Sequence, residues 1–389
     1  MAVSKLAASA AQLMKQGLLK EAAREFEAAL KQDPTDASAL LGLARLRLAQ
    51  DDEPAARSVL SRLLQLHPTH PEALSHMARL QAKDGNERAL GLLRELAMQP
   101  KAGFFEVLNH GRALLTAEKL EEATTELERA LSMYPGNPQV LTYLGMALQG
   151  QKQLDAALKR YQEAAAATRN EHLPLLLASR IQVQQGHIGA ALVSLHEAIL
   201  RAPQEPSLIR EFATLSLFAG APDAAVRAAI ELRLKLPESA DAVYLHGLAM
   251  LMTGKDEDAE RILREALERV PNSSDVRLAL GKVLRRQGND TEAQRLLEEA
   301  VKLSPDEPGP ANDLAVLLMS RPDGKAAART VLEKALAVQP EDPGLNLNMA
   351  LALADSDAKR ARTHAQKAQA SKQADIREQA DRLLAALAK

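Results

Sequence analysis

The chain has 389 residues, 46% hydrophobic and 26% charged, enough apolar material to build buried cores. Its formal net charge of -2 supplies no global field that would recruit nucleic acid or an anionic membrane. The absence of Cys excludes disulfides, thiolate metal sites and cysteine catalysis, and 2% aromatic residues with no Trp leave little for stacking bases or sugars.

In chain order, the N-terminal run MAVSKLAASAAQLMKQG is too poor in Leu, Ile and Val for a signal peptide. No later stretch approaches the roughly 18 apolar residues of a membrane span. The expected location is therefore the cytoplasm, or the periplasm if a leader has been removed, and no membrane insertion is expected. From Val3 onward apolar residues recur at three and four residues, as in RLLEEAVKL, so the elements read as amphipathic helices and no strand is expected.

A period of 34 organises those helices. Prolines at 34, 68, 100, 135, 203, 237, 271, 305 and 340 stop one helix of each repeat. Glycines at 17, 85, 186, 220, 254 and 288 sit midway and end the other by adopting a left-handed conformation. Alanines at 22, 56, 89, 123, 157, 191, 225, 259, 293 and 328 keep the same beat. Asp, Asn, Ser and Thr beside the breaks, as in DPTDAS and PNSSDV, can cap the helix that follows.

The predicted repeats run 3–36, 37–70, 71–103, 104–137, 138–171, 172–205, 206–239, 240–273, 274–307, 308–342 and 343–375, and 376–389 forms a closing helix, so 1–389 reads as one continuous array. The third repeat is one residue short, the tenth carries an extra residue at SRPDGK, and the eleventh lacks the turn glycine.

No segment offers a phosphate loop, a nucleophile elbow or a dinucleotide fingerprint. Glu121 with Glu122 and Glu298 with Glu299 lie on charged helix faces, without an enclosure to shift their pKa. His67, His70 and His76 are the one cluster with metal-like spacing, but no carboxylate set completes it, and His110 and His246 read as core or boundary residues. No catalytic, metal or cofactor site is expected, and the chain is not read as an enzyme.

With small residues at place 8 of the repeat (Gly145, Gly247, Gly281, Ala78, Ala213), the Ala series at place 20, bulky residues at place 24 (Phe26, Leu127, Tyr161, Leu263, Leu297) and Ala at place 27, nearly the whole chain resembles the tetratricopeptide repeat family. The resemblance implies an all-α, right-handed α-solenoid, or superhelix, of about eleven helix-turn-helix repeats with a C-terminal capping helix. It also implies that places 2, 5, 9, 12 and 13 of the first helices face a concave groove.

In that groove, place 9 offers Arg45, Arg79, Arg112, Arg180 and Lys282, a basic ladder suited to carboxylates, unless each cation is paired with a neighbouring Glu on a solvated face. Arg210 at place 5 adds a cation. Phe218, Tyr244, Leu248 and Met252 offer an apolar patch for a peptide anchor, or else pack between repeats. The family's clamp for acidic chaperone tails is not expected, because no three successive repeats carry its Lys, Asn and Arg set.

The expected function is a non-catalytic scaffold or adaptor that binds a peptide or helical segment of a partner protein, possessing in one version an acidic segment; nucleic acid is not an expected partner. The alternatives are a cell-envelope or polysaccharide-export scaffold, and a regulatory subunit of an enzyme or transcription factor. Self-association through a terminal repeat stays open. Richness in Ala, Leu and Arg fits a GC-rich bacterial genome.

Overall fold

The structure, a computed structural model, describes residues 2–387. Among these residues the secondary structure is helical throughout, with no strand. The first repeats hold α1 (Ala2–Lys15) and α2 (Leu19–Gln32), α3 (Ala37–Ala49) and α4 (Glu53–Leu66), α5 (Pro71–Lys83) and α6 (Glu87–Ala97). They continue with α7 (Phe104–Thr116) and α8 (Leu120–Met133), α9 (Pro138–Gly150) and α10 (Leu154–Ala167), α11 (Leu173–Gln184) and α12 (Ile188–Arg201). Then come α13 (Pro206–Phe218) and α14 (Pro222–Lys235), α15 (Ala240–Met252) and α16 (Asp256–Arg269), α17 (Ser274–Arg286) and α18 (Asp290–Leu303). The last are α19 (Pro308–Met319) and α20 (Lys325–Val338), α21 (Pro343–Leu353) and α22 (Ala358–Gln369), and α23 (Ala374–Leu387).

The chain divides into two compact halves, one ending at Pro203 and one beginning at Gln204. Within each half every helix packs against its neighbours in sequence, the arrangement of an all-α repeat solenoid. The closing helix expected from 376 begins at Ala374, and the last two residues of the predicted span lie outside the described residues.

Local chemistry sets the helix ends. Asp36 accepts backbone N–H bonds from Ser38 and Ala39, Asn137 from Gln139 and Val140, and Asp342 from Leu345, each satisfying donors that a helix start leaves unpaired. Between the two helices of a repeat the backbone turns through the left-handed region, at Gly288 with φ of +80° for example. Three repeats make the same turn without glycine, at Asp51 (φ 55°), Glu118 (φ 57°) and Lys152 (φ 63°). A side chain there costs about 1 kcal/mol. Lys152→Gly is therefore expected to raise folding stability by about 1 kcal/mol, and Gly288→Ala to lower it by about as much, both read from urea unfolding midpoints.

The core repeats with the sequence. The place-20 alanines 22, 56, 123, 157, 191, 225, 259, 293 and 328 are fully buried. Place 8 is small for a reason different from a simple crossing with those alanines: it lies under the bulky residue at place 24. A Cβ added to Gly145 would stand 2.5 Å from the Tyr161 ring, and one added to Gly281 would stand 2.8 Å from Leu297. In the C-terminal half one large apolar cluster runs from α15 to α22. In the N-terminal half the clusters are smaller, and the third repeat is split between two, with Ala73 and Leu80 in one and Ala78, Ala89 and Leu93, joined by Ala113, in the other.

Candidate functional site

The N-terminal half places α5, α7 and α9 side by side as the first helices of successive repeats. Because the third repeat lacks one residue and α6 has only 11, α5 and α7 pack along more of their length than any other pair of first helices. Polar side chains are buried where they meet. Ser75 and Asn109 are fully buried and His76 nearly so. Such groups are retained only with partners, since each unpaired one costs about 1–3 kcal/mol.

Most of those partners are present. Asn109 Nδ2 donates to Ser75 Oγ at 2.9 Å and to His76 Nδ1 at 3.2 Å, and Ser75 Oγ donates to the Phe105 carbonyl at 3.3 Å. Since Nδ1 of His76 accepts, its proton sits on Nε2, 3.2 Å from Glu72 Oε1. Glu72 also receives the guanidinium fork of Arg45, with Nε at 2.5 Å and Nη2 at 2.6 Å. Burial alone would raise the Glu72 carboxyl, but the His76 hydrogen bond and the Arg45 charge outweigh it and hold the pKa below the ordinary value. Burial pushes His76 down, against the pull of Glu72.

Two atoms of this region have no partner. One is Asn109 Oδ1 and the other is Arg79 Nε, both buried. Arg79 is 8% exposed and makes no ion pair among the described residues. Burial, followed by the neighbouring Arg112 charge, lowers its pKa to about 10, so it is still a cation at neutral pH. Arg112 lies with its guanidinium carbon 4.6 Å from the centre of the Tyr143 ring, and Arg45 lies 4.2 Å from that of Phe105. The face therefore holds a buried guanidinium that makes no ion pair among the described residues and a second guanidinium beside it.

The expected basic ladder is thus not uniform. Arg45 is bound to Glu72, whereas Arg79 and Arg112 are close enough to repel each other. Arg180 is exposed on α11. In the C-terminal half Arg210 pairs with Asp241 at 2.9 Å and Lys282 with Asp313 at 3.1 Å. Of the four apolar candidates, Phe218 and Met252 are 77% and 44% exposed, each the last residue of its helix. Tyr244 and Leu248 are half-buried against the large core cluster, and burial raises the Tyr244 pKa to about 12.

Two of the three clustered histidines have structural partners. His70 Nδ1 accepts the Ala73 N–H at 3.3 Å as a helix cap, and His76 belongs to the network above. Among the described residues no group of three or more His, Asp or Glu side chains could hold a metal, and no helix is long and apolar enough to cross a membrane.

Of the residues at this site the sequence singles out His76 with the arginines, and it gives no sign of Glu72, Ser75, Asn109 or Tyr143. The signal that separates Arg79 from Arg45 lies in the following repeat. Arg45 meets an acid at place 2 of that repeat, Glu72, and the same place after Arg79 is Phe105.

Models described as tetratricopeptide repeat match residues 13–80, 114–181 and 250–314, and a second of that description matches 210–274. A peroxisomal targeting signal receptor of Candida albicans is 38% identical over 79 residues, 20% of this chain and 13% of the receptor, so only a small part of that protein is represented here. The crystal structure of yeast Tom70 is similar over 99% of this chain and 95% of its own, with TM-score 0.51 and 14% identity. A tetratricopeptide repeat protein from Parabacteroides merdae is similar over 74% of this chain and 99% of its own, with TM-score 0.49 and 16% identity.

Proposed function

The chain belongs to the tetratricopeptide repeat family, and from that premise we propose that it is a non-catalytic scaffold whose N-terminal half binds an acidic segment of a partner protein at Arg79 and Arg112. The observation that carries this reading is the buried guanidinium of Arg79, whose Nε has no partner and which makes no ion pair among the described residues. An isolated buried charge costs several kcal/mol, and a chain that keeps one gains by supplying the anion from a ligand. A carboxylate set between Arg79 and Arg112 would relieve their mutual repulsion and accept charge-assisted hydrogen bonds from both. The name of the Candida albicans relative, a receptor for a targeting signal, agrees with recognition of a protein segment.

The test is fluorescence polarisation of a labelled peptide rich in Asp and Glu. Arg79→Glu with Arg112→Glu is expected to weaken binding about a hundredfold, and added salt to weaken wild-type binding. Arg45→Glu should leave affinity within about threefold while lowering stability, because it breaks an internal pair with Glu72. Equal binding by wild type and the double reversal would refute this assignment.

A further inference from the structure

The C-terminal half contains a second feature unrelated to the cationic face, a cavity of about 330 Å³ bounded by α18, α19 and α20. Its origin is legible in the repeat. The fourth place of the first helix holds a large buried side chain in most repeats, such as Leu40, Leu141, Ile209 and Val243, but in α19 it is Ala311. The missing side-chain volume leaves a gap whose wall consists of buried Ala311, Leu314 and Ala335 with the half-buried Val301 and Val331. The tenth repeat is also the one with the extra residue in its turn, before α20.

The rim is polar, and its charges are unevenly satisfied. Glu298 accepts a hydrogen bond from Gln294 at 2.7 Å, and Glu307 sits at the start of α19, where the helix N-terminus offsets its charge. Lys302 and Lys334 are exposed and have no ion pair among the described residues. An apolar wall of this kind holds water poorly, and 330 Å³ lies at the low end of ligand pockets, which run from about 300 to 1,000 Å³.

We propose that this cavity binds a small amphiphilic carboxylate, with its alkyl or aryl body against Ala311, Leu314 and Val331 and its carboxylate held by Lys302 and Lys334. The apolar body removes poorly bonded water from the wall, and the head group meets the two cations the fold leaves uncompensated. The site shares no residue with the cationic face, so either assignment can fail without the other.

Decanoate titrated into the full chain by isothermal titration calorimetry is expected to bind saturably at one site per chain. Ala311→Leu fills the gap and should weaken binding at least about tenfold, with a urea midpoint equal to or above that of the wild type. Lys302→Glu with Lys334→Glu, a surface change that leaves the wall intact, should weaken decanoate about tenfold and leave decanol unchanged. Absence of saturable binding, or equal affinity in wild type and Ala311→Leu, overturns the site. Loss on filling but indifference to the lysine reversals overturns the carboxylate class, and assigns the cavity to an uncharged apolar group.

Discussion

Arg79→Leu is expected to stabilise the folded chain and, in the same protein, to cripple capture of an acidic peptide. Leucine retains much of the apolar stem and removes a charge that is 8% exposed and makes no ion pair among the described residues. Replacing a buried charged group by an apolar one is often neutral or stabilising, here by about 1–2 kcal/mol. Loss of one charge-assisted contact worth about 1.5–3 kcal/mol should weaken peptide binding by about tenfold or more. The opposite signs are the diagnostic feature, measured as a urea midpoint and a polarisation titration on one preparation. Arg45→Leu is the control: it strands Glu72, whose side chain is 15% exposed, and should destabilise. A fall in stability with Arg79→Leu as large as with Arg45→Leu would show that Arg79 serves packing.

The second large effect comes from one substitution made at two glycines. Gly145→Ala gains about 1 kcal/mol of helix propensity, yet its new methyl meets the fully buried Tyr161 ring at 2.5 Å. Overpacking of this kind costs about 3 kcal/mol, so a net loss of about 2 kcal/mol is expected. Tyr161 has little freedom to withdraw, because its hydroxyl donates to Gln149 at 2.8 Å. Gly91→Ala, inside α6 with no heavy atom within 4 Å of the added carbon, should gain about 1 kcal/mol instead. Thermal unfolding of the two variants checks both signs. A stabilised Gly145→Ala would mean that the crossing is looser than its geometry.

The fold was legible because each periodic residue answers a local demand that composition records: a left-handed turn, a close crossing, a helix stop. Where the demand is met by another residue type the letters fall silent. Asp51, Glu118 and Lys152 turn as the glycines do, and only the 34-residue phase points to them. The candidate site was less legible for a different reason. Arg45 and Arg79 are the same letter at the same place, and they differ because Arg45 finds Glu72 at place 2 of the next repeat whereas that place after Arg79 is Phe105. Likewise, of the α5–α7 network only His76 stands out in sequence, grouped beside His67 and His70 by proximity along the chain. Space instead groups it with Asn109, 33 residues away. The gap at Ala311 is the converse case, a departure from periodicity whose meaning lies in the volume it leaves empty.

The third repeat combines the 11-residue α6, a small buried cluster of Ala78, Ala89 and Leu93 closed by Ala113 of the next repeat, and an Arg79 that makes no ion pair among the described residues. Cooperativity in a linear array depends on each neighbour-to-neighbour interface, so the weakest interface becomes the place where the array opens first. Amides of α5 and α6 would then exchange with solvent through a local opening far below the cost of global unfolding. A ligand that supplies the missing anion acts on that opening, and slower exchange along this one segment is how occupancy would be felt by the rest of the N-terminal half.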